Sequence, residues 1–263
     1  MKANSSLLFL GTGGSMGVPI IGCQCAVCSS DNSMNKRLRP SVLLTIQGRN
    51  YLIDAGPDLR TQALNYHMKM LDGVLITHAH NDHIAGIDDL RLFYKYRQKP
   101  IPLLLSQDTY RDLAARFSYI FGGDVRVAGL LPQFDLHLLA NDQGQMDFAD
   151  LKVGYISYEQ AGMRVNGFRF GDLAYVSDIR NYSDTIFQEL VGVKTLIVTA
   201  IRFTPSPLHF SIDEAIAFAE RVGAQQAWIS HIGHDLDHEK TAAYLPPHIH
   251  LAYDGLKIEF NYA

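Results

Sequence analysis

The sequence contains no apolar run approaching the roughly 20 residues of a membrane span. Its first residues, Met1-Lys2-Ala3-Asn4-Ser5-Ser6, are too polar, and the apolar run after them too short, for a secretion signal. Cysteine is scarce: three in 263 residues, at 23, 25 and 28. An odd, crowded set without a signal argues against a disulfide framework and for a reducing compartment and a bound metal. A cytoplasmic location is therefore expected. There is no excess of basic charge, with 23 Lys and Arg against 27 Asp and Glu, and the basic residues are scattered. That balance argues against general binding to nucleic acid or to a membrane surface, without excluding a local groove. No long linker, low-complexity tract or solenoid repeat divides the chain, so one domain over 1–263 is expected. A phosphate-binding loop is missing too. Gly11-Thr12-Gly13-Gly14-Ser15-Met16-Gly17 lacks the Gly-Lys-Ser/Thr ending and fails the Gly-x-Gly-x-x-Gly register at Met16, so tight turns lining a site edge account for it better.

What the chain does have is apolar content near the globular average, enough for a sizeable core. It also has 11 histidines, and the question is how many converge. Residues 77–83 read Thr-His-Ala-His-Asn-Asp-His, in which His78, His80, Asp82 and His83 can bind a metal. Imidazole and carboxylate together suit zinc, manganese or iron. His78 and His80 point to one side of an extended chain, while Asp82 and His83 would open the next helix. A strand end and a helix start can thus present two ligand pairs to two neighbouring metals. Burying such a cluster unpaired would be costly.

Apolar runs predict strands at 7–10, 41–46, 51–53, 74–77, 103–106, 173–177, 195–199 and 227–230. Helical spacing predicts a helix over 213–222, with Ser211 as N-cap, Glu214 three residues on and Gly223 closing it. Residues 82–96 and 109–117 also read as helices, and 118–150 carry the weakest pattern. Strands and helices mixed in one chain predict a sheet-and-helix layer fold. One pattern recurs: four apolar strands end in a polar, metal-competent residue, namely Asp54, His78, Asp178 and His231. Ligand sites in sheet-based folds gather at that edge, because rigid strands fix where side chains point. Separately, Cys23, Cys25 and Cys28 have Cys-x-Cys-x₂-Cys spacing, which can wrap one tetrahedral ion and leaves one ligand to come from elsewhere.

The 77–83 motif resembles the signature of the metallo-β-lactamase-fold hydrolases. Gly11-Thr12-Gly13-Gly14, Ile53-Asp54-Ala55-Gly56, Ser177-Asp178 and Ser230-His231 fall in that family's order. The cysteine cluster, Gly56-Pro57-Asp58-Leu59-Arg60-Thr61-Gln62 and Ser230-His231-Ile232-Gly233-His234 resemble the branch that includes the phosphoribosyl cyclic phosphate phosphodiesterase of the carbon–phosphorus lyase pathway. The resemblance implies an α+β fold, a four-layer αββα sandwich with the metal site at one edge. It implies two divalent metals, manganese or zinc. His78 and His80 would hold the first, Asp82 and His83 the second; Asp178 would bridge both and His231 would complete the second. Asp82 counts as catalytic as well as a ligand. A shared carboxylate offsets the repulsion of two cations, and a water held between them becomes the nucleophile near neutral pH. The resemblance further implies a structural zinc on Cys23, Cys25, Cys28 and His234, support of the metal histidines by Asp54, and a catalytic histidine at His209 that protonates the leaving group.

One position departs from the pattern. The family supplies another histidine to the first metal where this chain has Gln160, and no histidine lies between His137 and His209. A Gln oxygen is a weaker, neutral ligand, and Glu159 could replace it if the register shifts. The expected outcomes are a binuclear site of altered metal preference, a weak or empty first site, or a degenerate protein. The expected activity is hydrolysis of a small cyclic or nucleotide-like phosphodiester, with a same-fold nuclease, an ester or lactone hydrolase, or a non-catalytic metal-binding protein as alternatives. A homodimer is compatible with all of these.

Overall fold

Strands with apolar side chains on both faces have to be covered on both sides, and most strands of this chain are of that kind. The computed structural model, which describes residues 5–122 and 130–262, arranges them in two seven-stranded sheets. The first part of the chain forms β1 (Ser5–Gly11), β2 (Ser41–Ile46), β3 (Arg49–Ile53), α1 (Leu59–Asn65), β4 (Gly73–Leu75), α2 (Asn81–Ile84), α3 (Leu90–Arg97), β5 (Ile101–Ser106), α4 (Gln107–Arg116), α5 (Ser118–Phe121) and β6 (Phe134–Leu139). The second part forms β7 (Gln143–Phe148), β8 (Leu151–Gln160), β9 (Met163–Phe170), β10 (Leu173–Val176), α6 (Ile186–Glu189), β11 (Thr195–Thr199), α7 (Ile212–Val222), β12 (Gln226–Ser230), α8 (His238–Tyr244) and β13 (Ile249–Leu251). The last strand, β14 (Lys257–Phe260), returns to the first sheet beside β1.

The sheet orders are β14-β1-β2-β3-β4-β5-β6 and β13-β12-β11-β10-β9-β8-β7. Each is antiparallel on one side and parallel on the other, with β3 to β6 parallel in the first and β10 to β13 parallel in the second. Leu7, Phe9, Tyr51, Ile53, Tyr175 and Ile197 point between the sheets. Their strand neighbours Leu10, Leu52 and Val74 face the helices of the first part, while Ala174, Val176, Leu196 and Val198 face α6 and α7. Side chains alternate with a period of two, and each buried aliphatic contributes roughly 1.5–3 kcal/mol, so this alternation sets the register. The layers run helix, sheet, sheet, helix, which is the expected αββα sandwich. No helix among the described residues is long and apolar enough to cross a membrane.

The expected strands at 41–46 and 195–199 match β2 and β11, and the other six fall on β1, β3, β4, β5, β10 and β12 with shifted ends. Helix α7 has the expected caps: Ser211 and Glu214 form a capping box, and Gly223 closes the helix at φ 72°. The continuous helix expected over 82–96 is instead α2, a single 3-10 turn (Ile87–Asp89) and α3. The break lies at Gly86, where an added Cβ would stand 2.1 Å from Gly56 O. This close crossing presses the start of α2 onto the loop after β3.

A second device joins the two sheets at the site. Asn166 of β9 is fully buried, and its backbone N–H and its Nδ2 each donate to Thr77 O at 3.0 Å. Ser157 Oγ donates to Asn166 Oδ1 at 3.0 Å. Asn166→Ala removes the side-chain arm of this clip and is expected to cost about 1–3 kcal/mol. Urea unfolding measures it, and an unchanged midpoint would show that the backbone bond alone holds Thr77.

Candidate metal centre

The parallel strands place β3, β4, β10 and β12 with their carboxyl ends together, and the residues expected at those ends meet there. Asp54, Asp178 and His231 all have left-handed backbone, at φ 64°, 51° and 58°. Non-glycine residues adopt this region rarely, at a cost of order 1–3 kcal/mol each, and such strain collects at functional sites. Local bonds hold these turns in place. Ser41 Oγ donates to Asp54 O at 2.8 Å, and Tyr158 Oη donates to Ser177 O at 2.6 Å.

His83, fully buried on α2, is the hub. Its Nδ1 lies 2.7 Å from Asp54 Oδ2, and Asp54 also accepts from Thr77 N at 2.8 Å and from Thr77 Oγ1 at 2.9 Å. Burial pushes the Asp54 carboxyl up, while the His83 charge opposes that. With Nδ1 donating to Asp54, the His83 Nε2 lone pair is turned into the site. Nε2 makes no hydrogen bond there, although Asp178 Oδ2 lies at 2.9 Å and Asp82 Oδ2 at 3.3 Å. His231 Nε2 lies 3.3 Å from Asp82 Oδ2 and 3.2 Å from Asp178 Oδ1. Ligand atoms of Asp82, His83 and His231 therefore converge, with His83 Nε2 left without a hydrogen bond while His231 Nε2 shares one with Asp82, an arrangement that fits a cation.

The charges fit as well. Burial opposes ionisation of Asp178, but His231 and His83 outweigh it and hold that carboxyl well below the usual range; His83 and His231 do the same for Asp82. Burial would lower His83, yet Asp54, Asp82 and Asp178 hold it well above its ordinary value. Carboxylates that stay ionised among crowded imidazoles are matched by divalent cations, which displace the imidazole protons on binding.

On the other side, His78 Nε2 lies 3.9 Å from Asp178 Oδ2 and 2.8 Å from His80 Nδ1. His78, His83 and Asp178 form a second group of converging ligand atoms, whereas the partly buried His80 meets the site through His78. Gln160 is buried at the end of β8, its Nε2 3.4 Å from Asp178 Oδ1. Glu159 is exposed and accepts from Gly162 N at 3.1 Å, so the register shift that would carry it to the site does not occur. His209 reaches inward, Nδ1 3.1 Å from Asp178 Oδ1.

Asp54→Asn keeps the side chain's shape but no longer imposes a tautomer on His83. A 10–100-fold loss of active-site metal affinity is expected. Competition with a coloured chelator reads it directly, and wild-type affinity would remove Asp54 from this role.

The three cysteines come together with His234, the fourth residue that the resemblance implied. The Sγ atoms of Cys23, Cys25 and Cys28 lie 3.3, 3.6 and 3.6 Å from His234 Nδ1. Tetrahedral ligands at zinc bond lengths stand about 3.5 Å apart, so the four atoms fit one zinc. The Cys28 backbone N–H lowers the Cys25 thiol to about 6, whereas burial pushes Cys28 up to about 11, so Cys28 needs a cation to be a thiolate.

Sequence reasoning missed the clip at Asn166, whose only signal is an amide within an apolar strand. It also missed the lock on the N-terminal loop. Buried Arg37 donates from Nη1 to Thr12 Oγ1 at 2.7 Å and to Ala252 O at 2.6 Å. Asp254 accepts from Thr12 N at 2.8 Å and from Leu38 N at 2.7 Å. His238 belongs to this lock, 3.1 Å from Arg37 Nη2, and lies apart from the site. The locked loop walls a cavity of about 180 Å³ beside the site, lined by Gly14, Met16, Ile20, Ile201, Arg202 and Gly233. At Gly14 an added Cβ would lie 3.4 Å from His231 Nδ1, so the glycine turn does line the site edge.

Comparison with known proteins places this geometry. The model of the beta-lactamase superfamily domain matches residues 49–232. The crystal structure of a new diphosphatase from the PhnP family is 38% identical, with a TM-score of 0.90 over 99% of this chain and 98% of that one. An octanoyltransferase of Porphyromonas gingivalis (strain ATCC BAA-308 / W83) is 32% identical over 255 residues, 95% of this chain but 50% of that protein, so the chain spans half the length of this relative. The anti-Pycsar protein Apyc1 of Paenibacillus harenae is 26% identical over 208 residues, 75% of this chain and 84% of that protein.

Proposed function

The chain belongs to the beta-lactamase superfamily, and from its site we propose that it is a metal-dependent hydrolase cleaving a small cyclic or nucleotide-like phosphodiester. The observation that carries this is the convergence of Asp82, His83, His231 and Asp178 on one buried space, with His83 Nε2 left without a hydrogen bond. Divalent metal bound there supplies Lewis acidity, which acidifies water and offsets the charge that builds on phosphoryl oxygens.

The protein's own residues do the rest. Asp178 turns Oδ2 toward His78 and His83 and Oδ1 toward His231, so one carboxylate serves both sides of the site. Asp54 keeps the His83 lone pair directed inward. Burial of Asp178, His83 and His231 keeps bulk water from screening these charges. Arg202, on the wall of the adjoining cavity, has no side-chain hydrogen bond or ion pair among the described residues, which suits it to a substrate oxyanion. The diphosphatase named for the PhnP-family structure supports phosphorus chemistry.

The test is elemental analysis beside turnover of bis-p-nitrophenyl phosphate with added Mn²⁺ or Zn²⁺. Turnover that a chelator abolishes is expected. Protein that holds only the cysteine-site zinc and shows no turnover would overturn the reading. Single-stranded RNA and p-nitrophenyl acetate in the same assay test the nuclease and ester-hydrolase alternatives.

A further inference from the structure

We propose that His209 supplies the imidazole that position 160 lacks, acting as a metal ligand rather than as the proton donor to the leaving group. The inference rests on the metal-dependent reading above and concerns which residues complete its site.

Gln160 occupies the ligand position but serves it poorly. Its amide nitrogen faces Asp178, while its Oε1, the atom able to bind a cation, is buried without a partner. A neutral amide oxygen is a weak substitute for imidazole at a zinc site. His209 ends at the same place from the other direction. It lies on the loop between β11 and α7, with Nδ1 3.0 Å and Nε2 3.3 Å from Gln160 Nε2. Its Nδ1 is 3.1 Å from Asp178 Oδ1, and its ring stacks on His231 with centroids 4.9 Å apart. Asp178, His209 and His231 thereby form a third group of converging ligand atoms.

The loop is built to hold this position. Ile201 N donates to Phe210 O at 3.2 Å and Ile212 N to Arg202 O at 2.9 Å, closing its ends, and Phe210 is buried in the core below. The His209 side chain is 14% exposed, so it is drawn inward rather than presented at the mouth. A proton donor must turn a ring nitrogen toward the leaving oxygen. Here Nδ1 lies 3.1 Å from Asp178 Oδ1, within the group of converging ligand atoms. Gln160 then becomes a positioning residue: its amide turns on metal binding, so that the buried Oε1 accepts the far ring N–H and the other ring nitrogen keeps its lone pair for the metal. The imidazole missing from β8 is thus offered from the loop before α7, in one ligand group with Asp178 and His231.

The test reads metal binding, not activity. Zinc affinity of wild type, His209→Ala, Gln160→His and the double variant is measured by chelator competition on full-length protein, with the cysteine-site zinc as internal reference. His209→Ala is expected to weaken one active-site ion at least tenfold, and Gln160→His in that background to restore it. A Co²⁺ spectrum should change and recover in the same order. Unchanged affinity in His209→Ala, with activity falling most on diesters of poor leaving groups, would make His209 the proton donor and overturn the proposal. If wild type takes up no ion beyond the cysteine site, the hydrolase reading itself falls.

Discussion

Asp178→Asn is expected to lower phosphodiester turnover by ~10³-fold or more, corresponding to about 4 kcal/mol of lost transition-state stabilisation. Its two oxygens lie within 4 Å of imidazole nitrogens from His78, His83, His209 and His231. Removing its charge leaves adjacent cations to repel each other and leaves His83 and His231 short of counter-charge. Asparagine is the informative replacement. Residue 178 sits at φ 51°, and asparagine tolerates that region where alanine would add strain. The loss in Asp178→Asn therefore reports charge, and any further loss in Asp178→Ala reports backbone. Metal content should fall together with kcat/KM. Wild-type metal content with wild-type turnover would remove Asp178 from the centre of the mechanism.

Cys28→Ser is expected to release the cysteine-site zinc and to lower the melting temperature by about 10 °C or more. Zinc at a structural site of this kind is worth about 10–16 kcal/mol in small domains. If about a quarter of that appears as global stability, at roughly 2–4 °C per kcal/mol for a domain of this size, the shift reaches this range. The effect should extend to catalysis. His234 stands three residues after His231, and Gly14 N donates to Ile232 O at 3.0 Å while Ile232 N donates to Thr12 O at 2.8 Å. The cysteine loop reaches the strand end carrying His231 through His234, and the glycine turn ahead of it is bonded to the same segment, so active-site metal affinity should drop as well. Zinc release followed with a chromogenic chelator, beside thermal unfolding, checks both parts. Retention of one zinc at full stability would show that the cluster is not closed by Cys28.

Much of the architecture was legible because it depends on local pattern. Apolar runs marked eight strands, and Ser211, Glu214 and Gly223 marked both ends of α7. Two of the unread strands carry weaker signals for a physical reason. β6 and β7 lie at sheet edges, and Asp135, Gln143, Gln145 and Asp147 face outward along them, so their apolar alternation is diluted. The break between α2 and α3 was illegible because it depends on Gly56 and Gly86 meeting across space.

The sequence by itself determined the chemistry available: the dense motif at 77–83, polar residues at four strand ends, three thiols able to wrap an ion, and an amide at 160 where an imidazole was expected. Each of these is a property of neighbours along the chain. Tertiary structure decided which of them act together. Parallel strands in two different sheets had to end at one edge before Asp54 could fix the His83 tautomer, before Asp178 could stand among four imidazoles, and before His209 could reach the side of Gln160. Left-handed turns at 54, 178 and 231 and the buried Asn166 clip hold that meeting. No local pattern encodes them, because their cost is local while the packing that offsets it comes from the whole fold.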